Sequence, residues 1–364
     1  MNILLLNWRD IKNPLAGGAE TATHEHAKGW LSAGHHLVQL SSQYPGGKTS
    51  ETIGGLHIQR MGNHYSFHIR AIITYLRKYQ NTFDLIIDEF HFVPYFTPLY
   101  AKTKILAYIH EVAKELWFSN LFFPANRIGY LLEPSIIRLY REIPFMVVSE
   151  STRDDLIDIG IPRKNIHIIH NGVSIVPSQK KKHQTPHFLF LGRLASDKGI
   201  EDAMYAFSLI HKQFPESILD IAGTAENSDY SDYLHSLVSR LQLNSSVLFH
   251  GNVSEQKKFD LFRESWLLLH PSVREGWGLT AVEAASQATP TVGYDVSGLR
   301  DSVHHNKTGI LVADRNPELL AQAAMDLISK PALFSQMGKN AQKWSKEFSW
   351  EKSVKQSLQL IQQL

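Results

Sequence analysis

The amino-acid sequence predicts an α/β protein made of two tandem Rossmann-like domains, and three observations carry that expectation. Short β-rich apolar runs alternate with longer segments of helical period, the pattern of a parallel sheet with crossover helices. The alternation stops at residues 176–186 and then restarts. The length of 364 residues suits a pair of domains of about 100–200 residues each.

In chain order, the first-half strands are Ile3–Asn7, Leu37–Leu40, His57–Arg60, Leu85–Asp88, Ile105–Ile109, Phe145–Val148 and Ile166–Ile169. Between them, Thr21–Ser32 and Thr152–Ile159 read as helices. Residues 176–186 hold Lys180, Lys181 and Lys182 in a row and prolines at both ends, with no periodic apolar face, and read as a solvated linker. The second half opens with the strand Phe188–Leu191. A helix follows, in which Ile200, Ala203, Met204, Phe207, Ile210 and Phe214 recur at helical spacing. Further strands are expected at Ile218–Ala222, Val247–His250, Trp266–His270, Thr291–Tyr294 and Gly309–Val312. Asn316–Leu364 is helix-forming, interrupted at Pro331 and at Phe348–Trp350. The expected organisation is a first domain over 1–175, a linker over 176–186, a second domain over 187–340, and a helix over 341–364 that packs back on the first domain.

Composition narrows the function classes. Apolar residues make up 43% and charged residues 20%, ordinary for a chain with a real core. Cysteine is absent, which removes disulfides, thiolate metal sites and cysteine nucleophiles together. No apolar run approaches the roughly 18 residues of a membrane span. The start of the chain does not read as a secretory signal, so a cytoplasmic protein is expected. Up to residue 175 there are 17 basic and 15 acidic residues, and 20 of each after it, so no nucleic-acid partner is expected. The pairs His24/His26, His35/His36 and His64/His68 lack a carboxylate or thiolate at ligand spacing, and no metal site is expected of them.

Three segments carry candidate chemistry. The first is Ala16-Gly17-Gly18-Ala19-Glu20, where paired glycines at a helix start let amides approach an anion. G-x-G-x-x-G does not occur, which disfavours a dinucleotide site. The second is Gly192-Arg193-Leu194-Ala195-Ser196-Asp197-Lys198-Gly199 at a strand-to-helix junction. Arg193 as a planar fork and Lys198 as a point charge can converge on a diphosphate, although a solvated loop would look the same in isolation. The third is Arg274-Glu275-Gly276-Trp277-Gly278-Leu279-Thr280-Ala281-Val282-Glu283, with Glu275 in a turn and Glu283 inside the helix that follows. Carboxylates there can accept hydrogen bonds from vicinal hydroxyls of a sugar or ribose. Acidic residues near a helix start also need no function, because the helix dipole favours them.

Together with Asn171-Gly172-Val173, this ordered set resembles the retaining glycosyltransferases of family 4, which have the GT-B fold, over nearly the whole chain. The resemblance implies two domains walling a nucleotide-sugar site. It implies that Glu275 contacts donor-sugar hydroxyls, with Gly276, Trp277, Gly278, Leu279 and Thr280 in the same donor-binding turn, and that Glu283 contacts the ribose. Gly192, Arg193 and Lys198 would meet the diphosphate, and Gly17 and Gly18 its phosphates. His110, at the end of Ile105–Ile109, falls where the family places a histidine near the reacting carbon. Without the family, a strand-end histidine is equally well a loop residue.

The implied reaction moves a hexose from a UDP- or GDP-sugar to an acceptor hydroxyl with retention, with Arg193 and Lys198 stabilising the leaving diphosphate. The implied catalytic set is His110, Arg193, Lys198 and Glu275. No D-x-D triplet occurs, in keeping with the family's usual metal independence, and no cofactor is expected beyond the nucleotide-sugar substrate. Front-face attack with the departing phosphate as base is the family reading; double displacement through Glu275 is the older alternative. The acceptor, a glycan, a lipid-linked sugar or a small molecule, is implied to bind the first domain. There, residues 114–145 combine Trp117, Phe118, Leu121, Phe122 and Phe123 with Lys114, Arg127, Arg138 and Arg141. These read either as core aromatics of a helix pair or as a peripheral contact with the inner face of a membrane. A nucleotide-sugar epimerase on the same fold and a non-catalytic nucleotide-sugar-binding protein are the alternative functions.

Overall fold

The structure is a computed structural model and describes every residue except Asp314, together with the side chain of Asn120. The chain forms two compact units, Met1–Gly172 with Ser349–Leu364, and Val173–Phe348.

The first unit is an eight-stranded sheet in the order β3-β4-β2-β1-β5-β6-β7-β8. Its strands are β1 (Asn2–Leu6), β2 (His36–Ser42), β3 (Ser50–Ile53), β4 (Leu56–Met61), β5 (Leu85–Glu89), β6 (Lys104–Ile109), β7 (Phe145–Val147) and β8 (Ile166–Ile168). Every pair is parallel except β3–β4. The helices are α1 (Gly18–Ser32), α2 (Phe67–Thr74), α3 (Leu116–Asn120), α4 (Ala125–Arg138) and α5 (Glu150–Ile159), joined by the C-terminal helix Trp350–Gln363. β1, β5 and β6 carry the unbroken apolar runs Ile3–Leu6, Leu85–Ile87 and Ile105–Ile109 because helices cover both faces of a parallel sheet. The chain steps outward from β1 to β2 and β4, then returns to add β5 on the other side. The order therefore reverses between β1 and β5, the place where open α/β sheets bind ligands at their carboxyl edge.

The second unit repeats this plan with six parallel strands in the order β11-β10-β9-β12-β13-β14, reversing between β9 and β12. They are β9 (His187–Leu191), β10 (Ile218–Ala222), β11 (Val247–Gly251), β12 (Leu267–His270), β13 (Thr291–Tyr294) and β14 (Gly309–Val312). Helices α6 (Ile200–Gln213), α7 (Ser228–Arg240), α8 (Glu255–Glu264), α9 (Leu279–Ser286), α10 (Leu299–Ser302), α11 (Pro317–Ile328) and α12 (Pro331–Ser345) complete the unit, and the C-terminal helix is α13. Phe188, Phe190, Leu219, Ile221 and Leu269 pack under α6 on one face; Leu189, Ala222 and Leu268 pack under α8 and α9 on the other.

Each strand expected from sequence is present within a residue or two. The structure adds β3, which the sequence analysis lacked because Ser-Glu-Thr-Ile has no apolar run and lies half-exposed at the sheet edge. Helix α1 starts at Gly18 rather than Thr21, and α5 at Glu150 rather than Thr152, where the Ser149 hydroxyl accepts the Thr152 amide at 3.1 Å. Residues 176–186 are irregular and mostly exposed, as expected, but are anchored at several points. Ser178 bonds Asp260 at 2.6 Å, the Gln287 side-chain amide reaches the Val176 carbonyl, and Lys182 donates to Thr289 Oγ1 at 2.8 Å and to the Ser265 carbonyl. Burial drives the Lys182 ammonium down to about 7, with Arg263 adding to the shift.

Candidate active site

In the second unit, the loops that leave β9 and β12 meet at the strand reversal. The loop after β9 closes in a 3-10 turn, Ser196–Lys198, and α6 starts after Gly199. Gly199 has φ +71°, and a Cβ there would lie 2.0 Å from the Pro271 carbonyl oxygen; only glycine lets the two loops approach this closely. The Val273 amide bonds the Asp197 carbonyl at 2.9 Å and fixes the register between them. From below, Gly298 holds the turn: a Cβ on it would lie 2.2 Å from the Glu275 carbonyl oxygen.

These contacts set Lys198 Nζ 2.8 Å from Glu275 Oε1, and His270 Nε2 3.1 Å from the same oxygen. Burial alone would raise the Glu275 carboxyl. The Lys198 charge and the His270 hydrogen bond outweigh it and hold the group well below the usual carboxylate range. Glu275 is therefore a fixed anion. Gly199 and Gly278 cap α6 and α9 without any side-chain hydrogen bond, so two helix starts with uncapped amides flank the Lys198–Glu275 pair. Gly192 leaves β9 and Gly276 lies in the Glu275 turn, while Leu279 and Thr280 form the first turn of α9, half-buried.

Three of the residues named from the sequence stand differently from the simple expectation. The Arg193 fork is engaged by carboxylates, Asp197 Oδ2 at 3.0 Å and Glu226. Glu283 is buried in α9 and paired with Lys258 Nζ at 2.8 Å; burial raises its carboxyl and Lys258 opposes the rise. The Trp277 ring is buried, edge-on to Phe348 at 4.9 Å, and serves the core rather than a ligand face.

In the first unit, the carboxyl edge at β1, β5 and β6 carries a buried polar cluster that the sequence analysis entered only through His110 and Gly17-Gly18. His110 Nε2 lies 3.1 Å from Glu89 Oε1, which also accepts the Thr23 hydroxyl at 2.6 Å. Burial raises the Glu89 carboxyl, and it pushes His91, stacked 5.6 Å from the His110 ring, down to about 3. Glu89 Oε2 and His91 Nε2 have no hydrogen-bond partner among the described residues. Beside them, Glu20 takes the Arg9 guanidinium at 2.7 Å and the Gly17 amide at 2.7 Å; despite burial these hold its carboxyl low. The Gly17 amide expected to face a phosphate is thus bonded to Glu20. Gly18 is the first residue of α1.

Glu89, His91, Arg9 and the anchoring role of Glu20, and in the second unit His270, Lys258 and Gly298, were not singled out from the sequence. The signal for two of them was present: Asp88-Glu89 and His270 each end an apolar strand, where polar residues face the ligand edge. Arg9, Lys258 and Gly298 sit in ordinary loop and helix contexts that only tertiary contact distinguishes. Among the described residues, no group of three or more His, Cys, Asp or Glu side chains is placed to hold a metal ion.

Residues 174–344 match the family model described as glycosyl transferases group 1, and residues 16–176 match that described as glycosyltransferase family 4. The chain belongs to family 4 of the glycosyltransferases. It is 28% identical over 236 residues to an uncharacterized glycosyltransferase of Methanocaldococcus jannaschii, covering 60% of each chain. It is 27% identical over 220 residues to a glycogen synthase of Mycobacterium tuberculosis, covering 58% of this chain and 52% of that one. The match thus spans about half to three-fifths of the length of these relatives. Sucrose-phosphate synthase from Thermosynechococcus elongatus superposes with a TM-score of 0.83 at 20% identity, over 100% of this chain and 98% of that one. The Anabaena protein HepE, solved with UDP-glucose, gives 0.76 at 18% identity over all of both chains. These likenesses establish the GT-B glycosyltransferase fold.

Proposed function

We propose that the chain is a retaining hexosyltransferase that moves a sugar from a UDP- or GDP-linked donor to an acceptor hydroxyl on a glycan, a glycolipid or a small molecule. The observation that carries the reading is the ionised Glu275 held between Lys198 and His270, with two uncapped helix starts beside it. A fixed carboxylate is a strong acceptor for sugar hydroxyls, and the cation with the helix amides suits the charge that grows on a leaving diphosphate. An arriving diphosphate would draw Arg193 from Asp197 and Glu226, since its fork matches phosphate as well as carboxylate. Glu283 takes the ribose, and His110, held by Glu89, serves the reacting sugar. The UDP-glucose bound by the Anabaena protein makes a uridine donor the first to test.

The test is a thermal-shift screen against nucleoside diphosphates, followed by turnover with the stabilising donor. Arg193→Ala and Lys198→Ala are each expected to lower turnover by more than about tenfold. Near wild-type rates in both would sink the diphosphate assignment, and an inverted anomer in the product, read by proton NMR, would reject the retaining mechanism.

A further inference from the structure

We propose that one face of the first unit docks on an anionic lipid bilayer, through α2 and the α3–α4 segment together. In α2 and the turns on either side of it, Tyr65, Ile69, Ile73 and Leu76 recur every three or four residues. They are 88, 64, 43 and 41% exposed, while Phe67, Ala71 and Tyr75 on the opposite side fill the core. Between α3 and α4, Phe122 and Phe123 are 92% and 75% exposed. Most aromatic and aliphatic residues of 116–132 are therefore not core of a helix pair; only Leu116 and Trp117 are buried.

The two segments cover the same sheet face. Residues in register on adjacent strands share a face, and Leu4 pairs with Ile86 while Ala107 pairs with Asp88 and Phe145. Leu4 and Ile86 carry α2, and Ala107 and Phe145 carry Ile137 of α4. The loop after β5 touches both segments: His68 Nε2 lies 3.1 Å from the Val93 carbonyl, and the Phe92 ring packs on Trp117 at 4.9 Å. Exposed apolar area of this extent on one side marks an interaction surface.

Charge identifies the occupant. Residues 64–82 and 116–132 contain Arg70, Arg77, Lys78 and Arg127 and not one Asp or Glu, in a chain whose basic and acidic residues nearly balance overall at 37 and 35. All four cations are exposed, and the Arg127 guanidinium lies 6.0 Å over the Phe123 ring. Of the two acidic residues that border the second segment, Glu133 is turned inward to accept the amides of Ala113 and Lys114 at 2.7 and 2.9 Å, and Glu115, which is exposed, is outnumbered by the four cations. Apolar side chains beside cations, with no anion among them, match the boundary between acyl chains and anionic headgroups. A purely apolar protein partner would not need the excess of exposed cations.

The inference does not depend on the donor or on turnover, and its test reads binding alone. The full chain is sedimented with phosphatidylcholine vesicles and with vesicles that also contain phosphatidylglycerol. Phe122→Ser with Phe123→Ser tests the apolar part, and Arg70→Glu with Lys78→Glu the charge; circular dichroism checks that both variants fold. The wild type is expected to pellet with the anionic vesicles only and to be released by salt, with partitioning reduced about tenfold or more in either variant. The proposal falls if the wild type stays in the supernatant or if both folded variants bind as well as the wild type. It also falls if the same substitutions abolish a concentration-dependent dimer seen by light scattering while vesicle binding is absent, which would assign the face to a second copy.

Discussion

Buried ionisable side chains decide most of what the candidate site can do. Glu89 is enclosed at the end of β5, and its Oε1 is shared by the Thr23 hydroxyl and His110 Nε2. Under the proposed function Glu89 positions His110, because its Oε1, 3.1 Å from Nε2, aims the ring. Glu89→Gln is expected to lower kcat at least about tenfold, with the donor KM little changed and the pH–rate profile displaced. Steady-state kinetics across pH would read both, and an unchanged profile would leave Glu89 a purely structural residue. Glu275 presents the reverse case, since Lys198 and His270 keep it ionised against its burial. No acid limb of the pH–rate profile near neutrality should disappear in Glu275→Gln, although turnover falls.

At the level of elements, both units put their functional loops at the place where strand order reverses, and glycine sets how closely those loops approach. Gly199 is the sharpest instance. Alanine there would need the left-handed conformation and would also collide with the Pro271 carbonyl, so Gly199→Ala is expected to cost about 1–3 kcal/mol by denaturant titration. It should also lower donor affinity by moving Lys198 away from Glu275. The elements were legible where the physics is local. Ile218–Ala222, Thr291–Tyr294 and Gly309–Val312 are the expected strands residue for residue, because an apolar run of strand length between polar turns has no other use in such a chain. Edge strand β3 and the anchoring of Lys182 on Thr289 were not legible, since a half-polar tetrapeptide and a run of lysines carry no periodicity. The site divides along the same line. Loop motifs announced Lys198 and Glu275, and His270 lies only five residues before Glu275, but that Lys198 meets Glu275 and that Lys258 meets Glu283 follows only from how the strands and helices pack. The exposed aromatics at 122–123 show the limit most plainly, because a sequence lists apolar residues without saying which way they face.

At the scale of the whole molecule, the first unit is closed by the last residues of the chain, and that closure makes its stability sensitive to acid. α13 lies against α1 so tightly that a Cβ on Gly29 would come within 2.0 Å of Val354 Cγ1. The Ser357 hydroxyl lies 2.9 Å from His26 Nδ1 and 3.0 Å from Trp30 Nε1, and both rings are fully enclosed. Ser357→Ala keeps the shape but leaves two buried polar atoms without this partner, which should cost about 2 kcal/mol. Burial pushes His26 down to about 3 in the folded chain, whereas an unfolded histidine titrates near 6.5, at roughly its ordinary value. Between those limits the unfolded chain binds more protons, so stability is complete above about 6.5 and falls as the pH is lowered toward the folded value. His26→Gln takes no part in that titration, and the unfolding free energy of the wild type relative to it should decline from pH 7 to pH 4, read by urea titration at each pH. A pH-independent difference would mean that His26 is not kept neutral by the enclosure that α13 completes.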